Sequence, residues 1–380
     1  MEYKEYELNE LLPYEQPQAY IVESTDYNEA YKTPVLTAGK SFILGYTNET
    51  DGIFDELPVI IFDDFTTATQ FVNFKFKVKS SAMKILHVNT EFVLPKYIFY
   101  RMQTIQVDHS THKRYWIQQY SKIKIKIPPL SEQEHIVSRI EELFSELDNA
   151  VETLNATKKQ LEAYRQAVLK DVFTIRNGEH CLLSTLMVGS PQNGIYKPKS
   201  LYGDGTAILR IDGFYDGKIL HDYEFKHVKL DDQEIDTYKL NINDLVVNRV
   251  NSMPYLGKCA LVRSLKETTV FESNMMRIKL NEELVLPEYI TYFLSSSMGR
   301  KELTKNAKQA VNQASINQTD VGNAIIPIPK SIQMQQQMVD VIQAKLSVCE
   351  SIENTVDSTL AQASAIRQSI LKQAFEGGLQ

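Results

Sequence analysis

One internal repeat constrains this chain more than any other feature. The segment at 165–173 reads RQAVLKDVF and the segment at 367–375 reads RQSILKQAF, an offset of 202 residues. A proline-rich entry precedes each copy, IPPLSEQ ending at Gln133 and IPIPKSIQMQ ending at Gln335, which stops a strand and opens a helix. After each entry comes a stretch of about 40 residues with almost no Gly or Pro, which predicts two long helices. At ~1.5 Å per residue, each is roughly 60 Å long.

Both helices carry apolar residues spaced alternately by four and three. In the first these are Ile136, Ile140, Leu143, Leu147, Ala150, Leu154, Thr157, Leu161, Tyr164 and Val168. At the same offset the second has Met338, Ile342, Lys345, Cys349, Ile352, Val356, Thr359, Ala363, Ile366 and Ile370. Neither helix can bury such a heptad seam alone, and an antiparallel pair is the simplest solution. By itself the pattern describes a generic coiled-coil scaffold; the material between the helices argues for more.

The globular regions repeat as well. VLPKYIFYRM at 93–102 matches VLPEYITYFL at 285–294, and SSAMKIL at 80–86 lies opposite ESNMMRIKL at the same offset of 192. The predicted order is a globular domain (1–129), a long helix (130–173), a second globular domain (174–330) and a second long helix (331–380). The expected fold class is α/β, of the α+β kind. Two copies of a globular domain are each followed by a long helix, and the helices pair antiparallel with pseudo-two-fold symmetry.

With 380 residues of which 43% are apolar, the chain can bury a substantial core and is not disordered. Its net charge of -7 excludes a uniformly basic, histone-like or polybasic membrane binder. Cys181, Cys259 and Cys349 are odd in number and far apart, which excludes a disulfide framework and points to a reducing cytoplasm. No apolar run approaches the ~20 residues needed to cross a bilayer, and the N-terminal MEYKEYELNE is too polar for a signal peptide.

Charge is nevertheless placed unevenly. Residues 1–70 hold three basic and fourteen acidic residues, whereas residues 71–126 hold eleven basic ones against Glu91 and Asp108 alone. Lysines mixed with aromatic residues, Trp116 among them, suit phosphate neutralisation. The plainer alternative is that FKFKVK and KIKIKI are half-exposed edge strands with lysines facing solvent.

Base edges are best read by Asn, Gln, Arg, Ser and Thr, while Lys mostly fixes phosphates. In the second domain the candidates are Asn248, Arg249, Asn251 and Ser252, which leave an apolar run and enter a turn. A second cluster is Arg300, Lys301, Lys305, Lys308, Gln309, Asn312 and Gln313. In the first domain Thr66, Thr67, Thr69 and Gln70 are candidate base contacts, with Lys75, Lys77, Lys79, Arg101, His112, Lys113 and Arg114 near phosphates. A polar strand end and a solvated helix face are the structural alternatives for the second domain's clusters.

Together, PPLSEQEHIVSRIEELFSELDNAVE, the two RQ-repeats, LVVNRVNSMPYLGKCALV (245–262) and VNQASINQTDVGNAIIPIP (311–329) resemble the specificity subunit of a Type I restriction-modification enzyme over nearly the whole chain. The resemblance implies two target recognition domains, each reading half of a bipartite DNA site. The two helices would set the spacing and dock two methylation subunits. It also implies no catalysis in this chain. S-adenosylmethionine and ATP with Mg would belong to the methylation and restriction partners.

The pattern departs at PVIIFDDFTTATQF (58–71), which stands where the second copy has DLVVNRVNS (244–252). The Asp63-Asp64 pair either reads cytosine amino groups or caps a turn and helix start before TTATQF.

A self-contained methyltransferase is the less favoured alternative. Asn251-Ser-Met-Pro254-Tyr255 has one residue too many for the base-holding motif expected of such enzymes and lacks paired prolines. Gly39-Lys40-Ser41 lacks the earlier glycine of a phosphate loop. Asp108, His109 and His112 have no further cluster to complete a metal site, so no metal is expected.

Overall fold

In the computed structural model, which describes residues 3–37, 41–105, 114–174, 179–311, 313–376 and 378, the long helices span Leu130–Phe173 and Ile332–Phe375. The chain divides into two compact units, residues 1–155 with 357–380, and residues 156–356. Each unit holds a globular head, the opening part of the helix that follows it and the closing part of the other helix.

Within each unit the helix parts run antiparallel. In unit 1, Ile140 and Phe144 share a buried cluster with Leu371 and Ala374. In unit 2, Leu169 and Phe173 share a core with Val339 and Ile342. The inward residues of the second helix are Gln335, Val339, Ile342, Cys349, Val356, Ala363, Leu371 and Ala374, all buried.

That seam corrects the expected one at alternate positions. Ile140, Leu161, Ile342 and Val356 are buried, and Ile136, Leu143, Leu147, Leu154, Met338 and Ile370 are half-buried. Ile352 and Ile366, however, are 40% and 48% exposed. A four-three alternation fits two registers that differ by one residue at every second step. Charge decides between them, because the next residues, Glu353 and Arg367, turn inward and are paired. Arg165 bonds Glu353 at 2.5 Å in unit 2, and Arg367 pairs with Asp148 in unit 1 while its guanidinium stacks 4.1 Å from the Phe144 ring centroid.

The heads share a sheet plan. In unit 1, one sheet has the order β2 (Tyr14–Glu15), β8 (Met83–His87), β5 (Val59–Asp63), β6 (Thr69–Val72). A second has β4 (Ile43–Thr47), β3 (Thr33–Leu36), β7 (Lys77–Val78). β1 (Lys4–Glu7) pairs antiparallel with β9 (Lys124–Ile127), placing Glu5 opposite Lys126 and Glu7 opposite Lys124. KIKIKI is therefore the half-exposed edge strand of the plainer alternative.

In unit 2 the larger sheet has six strands: β11 (Gln192–Asn193), β20 (Met275–Ile278), β16 (Leu245–Asn248), β18 (Cys259–Leu261), β14 (Gly217–Ile219), β13 (Phe214–Tyr215). Its first four match the unit 1 sheet. β15 (Lys226–Val228), β12 (Tyr202–Leu209) and β19 (Thr269–Phe271) match the second, down to the parallel pairing of β12 with β19 and of β3 with β7. β10 (Glu179–Leu182) pairs with β23 (Ile325–Ile328). A small extra sheet has the order β17 (Val250–Asn251), β22 (Ala314–Ser315), β21 (Lys308–Gln309).

The two VLP motifs open the helices Pro95–Met102 and Pro287–Ser295 with proline at the first position, where its missing N–H is no loss. Each docks a closing helix end by the same ring contact. Phe375 meets Tyr97 edge-on at 5.3 Å in unit 1, and Phe173 meets Tyr289 edge-on at 5.3 Å in unit 2. This explains why the RQ-repeats end in phenylalanine. Among the described residues no helix is long and apolar enough to cross a membrane.

Candidate nucleic-acid interface

The candidates of unit 2 converge on one small sheet. β16 delivers Asn248 and Arg249 to the base of β17, where Asn251 pairs with Ala314 of β22, and Ala314 pairs in turn with Gln309 of β21. Two sequence clusters separated by some 50 residues thereby meet. Asn251 and Ser252 are half-buried, Lys301, Lys308, Gln309 and Gln313 are exposed, and Val311 at the hairpin tip is 99% exposed. Asn312 lies outside the described residues.

Not every candidate stays at the surface. Asn248 is buried at 1% exposure and its Oδ1 has no hydrogen-bond partner among the described residues, so it is an interior residue at the root of the site. Arg249 donates from Nη1 to Ser273 O at 3.0 Å, while its buried Nε has no partner among the described residues. The Arg249 backbone carbonyl accepts from Ile316 N at 2.9 Å, fastening β16 to the extra sheet. Arg300 is turned inward. Its Nε donates to Leu256 O at 3.1 Å and its Nη2 bonds Pro254 O, so it braces the turn that follows Ser252. That turn also needs Gly257, whose φ of +73° suits glycine and whose Cβ would sit 3.1 Å from Thr304 Cγ2. Lys305 is held by Glu302 Oε2 at 2.8 Å and Asn323 O at 3.3 Å.

Lys258, which sequence reasoning passed over, closes the same turn. Its ammonium lies 3.4 Å from the Tyr215 ring centroid and 4.3 Å from that of Tyr255. Burial, aided by the neighbouring Arg300 charge, pushes its pKa down to about 8. A lysine following a turn with one tyrosine carries no signature of such an environment until the fold assembles it.

Unit 1 builds the corresponding place differently. Asp63 opposes Met83 as Asn248 opposes Met275. Asp64 N donates to Ala82 O at 3.3 Å as Arg249 N donates to Asn274 O at 2.9 Å, so Asp64 occupies the place of Arg249. Asp64 is sealed. Its Oδ1 accepts from Trp116 N at 2.9 Å, and its Oδ2 lies 3.4 Å from the equally buried Lys84 Nζ. Asp63 caps a turn, accepting from Phe65 N at 2.8 Å and Thr66 N at 2.9 Å. Neither carboxylate is free to read a base. No helix follows either, because residues 69–72 are the strand β6.

At this hairpin Thr66 is exposed and Thr67 takes φ +58°, while Thr69 and Gln70 are half-buried in β6. Lys77 is a correction: it is 4% exposed, and Glu49 at 2.9 Å and Asp51 O at 2.5 Å hold it as an interior cation. Lys75 pairs with Asp55 at 3.2 Å, and Lys79 lies 5.7 Å from the Tyr27 ring. Arg101 faces the helix end, 5.4 Å from the Phe375 ring, and donates to Thr104 Oγ1 at 2.9 Å. Arg114 is exposed immediately before buried Tyr115 and Trp116. His112 and Lys113 lie outside the described residues, as do Asp108, His109, Gly39 and Lys40. Among the described residues no group of His, Cys, Asp and Glu can hold a metal ion.

The chain matches the family model of the Type I restriction modification DNA specificity domain twice, over residues 1–163 and 165–362. It is 32% identical over 375 residues to the EcoR124I/EcoR124II specificity subunit of the Type I restriction enzyme of Escherichia coli, covering 95% of this chain and 90% of that protein. It is 27% identical over 274 residues to the EcoKI specificity subunit of Escherichia coli (strain K12), covering 68% of this chain and 58% of that protein. A chain solved in work on complex assembly and conformational transition of the type I R-M system has the same fold, with a TM-score of 0.67 over all of this chain and 98% of that one at 17% identity. With a duplicated head, a repeated helix end and a family match to each half, this chain belongs to the Type I restriction-modification DNA specificity family.

Proposed function

We propose that this chain is the sequence-reading subunit of a Type I restriction-modification complex, each head recognising one half of a bipartite DNA site. The observation that carries this is the repeated plan: two heads with matching sheets, each closed by the same phenylalanine–tyrosine contact, but with different side chains where β5 and β16 end. Similar scaffolds with different reading edges suit two unlike half-sites.

In unit 2 the readers are Asn251, Ser252, Gln309 and Gln313, with Arg249 exchanging its contact to Ser273 O for DNA and with Lys301 and Lys308 on phosphates. In unit 1 they are Thr66 and Thr67, with Arg114 on phosphates. The long helices set the spacing between half-sites and dock the methylation subunits. Methyl transfer and cleavage, with S-adenosylmethionine and ATP with Mg, reside in the methylation and restriction subunits. The complex acts on double-stranded DNA in the cytoplasm.

Co-expression with the methylation subunits, followed by sequencing of modified adenines in host DNA, tests this. A split motif is expected, and Gln313→Ala should alter one half of it only. Assembly of the complex without any motif would favour a protein scaffold, and methylation by the isolated chain would favour a self-contained enzyme.

A further inference from the structure

Each unit has a cleft under the arginine of its RQ-repeat, and the two clefts are filled differently. In unit 2 the turn between β13 and β14 enters the cleft. Asp216 approaches Arg165 Nη1 at 3.8 Å, and Lys218 pairs with Glu350. Gly217, at φ +82°, sits so close to the Pro287 helix that a Cβ would lie 3.1 Å from Thr291 Cγ2. β14 also adds to the sheet edge, pairing parallel with β18 through Gly217–Ala260 and Lys218–Leu261. A cavity of about 70 Å³ is left.

Unit 1 has the same cleft without the turn. Residues 37–42 join β3 to β4, whereas residues 210–225 join the corresponding strands of unit 2 and include β13 and β14. Among the described residues, β6, the counterpart of β18, is therefore the last strand of its sheet. Beside it lies an open cleft of about 470 Å³, lined by Phe99, Tyr100, Phe144, Glu141, Asp148 and Arg367. By the repeat offsets of 192 and 202, Tyr100, Phe144, Asp148 and Arg367 stand where Tyr292, Leu346, Glu350 and Arg165 stand in unit 2. With no Asp216 or Lys218 to meet, Arg367 and Asp148 pair with each other.

We infer that the unit 1 cleft receives an extended segment of a partner protein chain. The segment adds a strand to the edge of β6 and presents a carboxylate followed two residues later by a lysine or arginine. Its carboxylate takes Arg367 and its cation takes Asp148, as Asp216 and Lys218 take Arg165 and Glu350. Main-chain pairing supplies affinity and the acid-x-base pattern supplies selection, the division of labour usual in strand addition. This inference is independent of the DNA reading and fails or stands separately from it.

The probe is a fluorescent synthetic peptide of residues 211–221, IDGFYDGKILH, titrated into the full chain and followed by anisotropy. Saturable binding is expected. It should weaken at least tenfold when the peptide carries Asp216→Asn with Lys218→Gln, and equally when exposed Ser145 at the cleft is changed to Trp. Ser145→Trp should leave the melting temperature and DNA binding unchanged. In the complex with methylation and restriction subunits, a benzophenone side chain placed at 145 should crosslink to a partner segment of the acid-x-base pattern. Absence of peptide binding, or equal binding by Ser145→Trp, overturns the inference. So does crosslinking to nothing or to a second copy of this chain.

Discussion

The side-chain carbonyl of Gln133 accepts a hydrogen bond from the backbone N–H of Leu94 at 2.8 Å, and its amide donates to Phe92 O at 3.0 Å and Pro128 O at 2.9 Å. Gln335 does the same work in unit 2, accepting from Leu286 N at 2.9 Å and donating to Leu284 O at 3.3 Å. Both glutamines are buried, at 0% and 1% exposure, and each fastens the start of a long helix to the VLP segment of its own head. Removing either leaves partly buried backbone groups at the junction of head and helix without their side-chain partner. Gln133→Ala and Gln335→Ala should each lower stability by about 2–4 kcal/mol in chemical denaturation, since each orphaned buried group costs ~1–3 kcal/mol. Hydrogen exchange should place the loss in unit 1 for the former and unit 2 for the latter.

The inward ion pair of unit 2 supports a second prediction. Arg165 is 11% exposed at its side chain and Glu353 29%. Glu353→Ala leaves a mostly buried guanidinium, whose Nε already lacks a partner among the described residues, with only the longer approach of Asp216 at 3.8 Å, and should destabilise by about 1–3 kcal/mol after allowance for partial solvent access. The exchange Arg165→Glu with Glu353→Arg should recover part of that loss. A double-mutant cycle with no coupling between the two positions contradicts the pairing.

Much of this was legible in the sequence, and the failures have definite causes. The offsets of 192 and 202 located both heads and both helices because duplicated cores conserve volume and spacing. The seam was misassigned at alternate steps because a charged residue facing inward, such as Arg367, looks like a surface residue until its partners Asp148 and Phe144 are known. Lys77 was misread for the opposite reason: strand alternation places it on one face, but nothing local reveals that Glu49 waits there. The join of Asn251 to the 308–315 hairpin depends on long-range pairing that no local pattern encodes.

Lys258 should titrate far below an ordinary lysine. Its folded pKa of about 8 means that the amine is charged below that pH and increasingly neutral above it. Labelling with an amine-reactive reagent across pH 6–11, read by mass spectrometry, should give a midpoint near 8 for Lys258, against about 10.4 for a lysine side chain in a model peptide. Tyr215→Ala with Tyr255→Ala opens the site to water and should move the midpoint upward. A midpoint at the free-lysine value of about 10.4 contradicts the described burial.

Phosphate and base contacts separate by salt and by sequence. Lys308→Ala should weaken DNA binding evenly across sequences and reduce the slope of log affinity against log salt by about 1. Asn251→Ala should instead relax selection at one position of one half-site, with a discrimination loss of about 1–3 kcal/mol. Binding titrations at several salt concentrations on matched and mismatched duplexes distinguish the two.

The most direct measurement is the methylation motif itself. The chain should be co-expressed with its methylation subunits as wild type, as Asn251→Ala with Gln313→Ala, and as Thr66→Ala with Thr67→Ala, and modified adenines mapped in each strain. Division of reading between the heads predicts a split motif in the wild type, altered in one half by the first pair and in the other half by the second, with spacer length unchanged throughout. An unsplit motif, or one in which both pairs alter the same half, contradicts it.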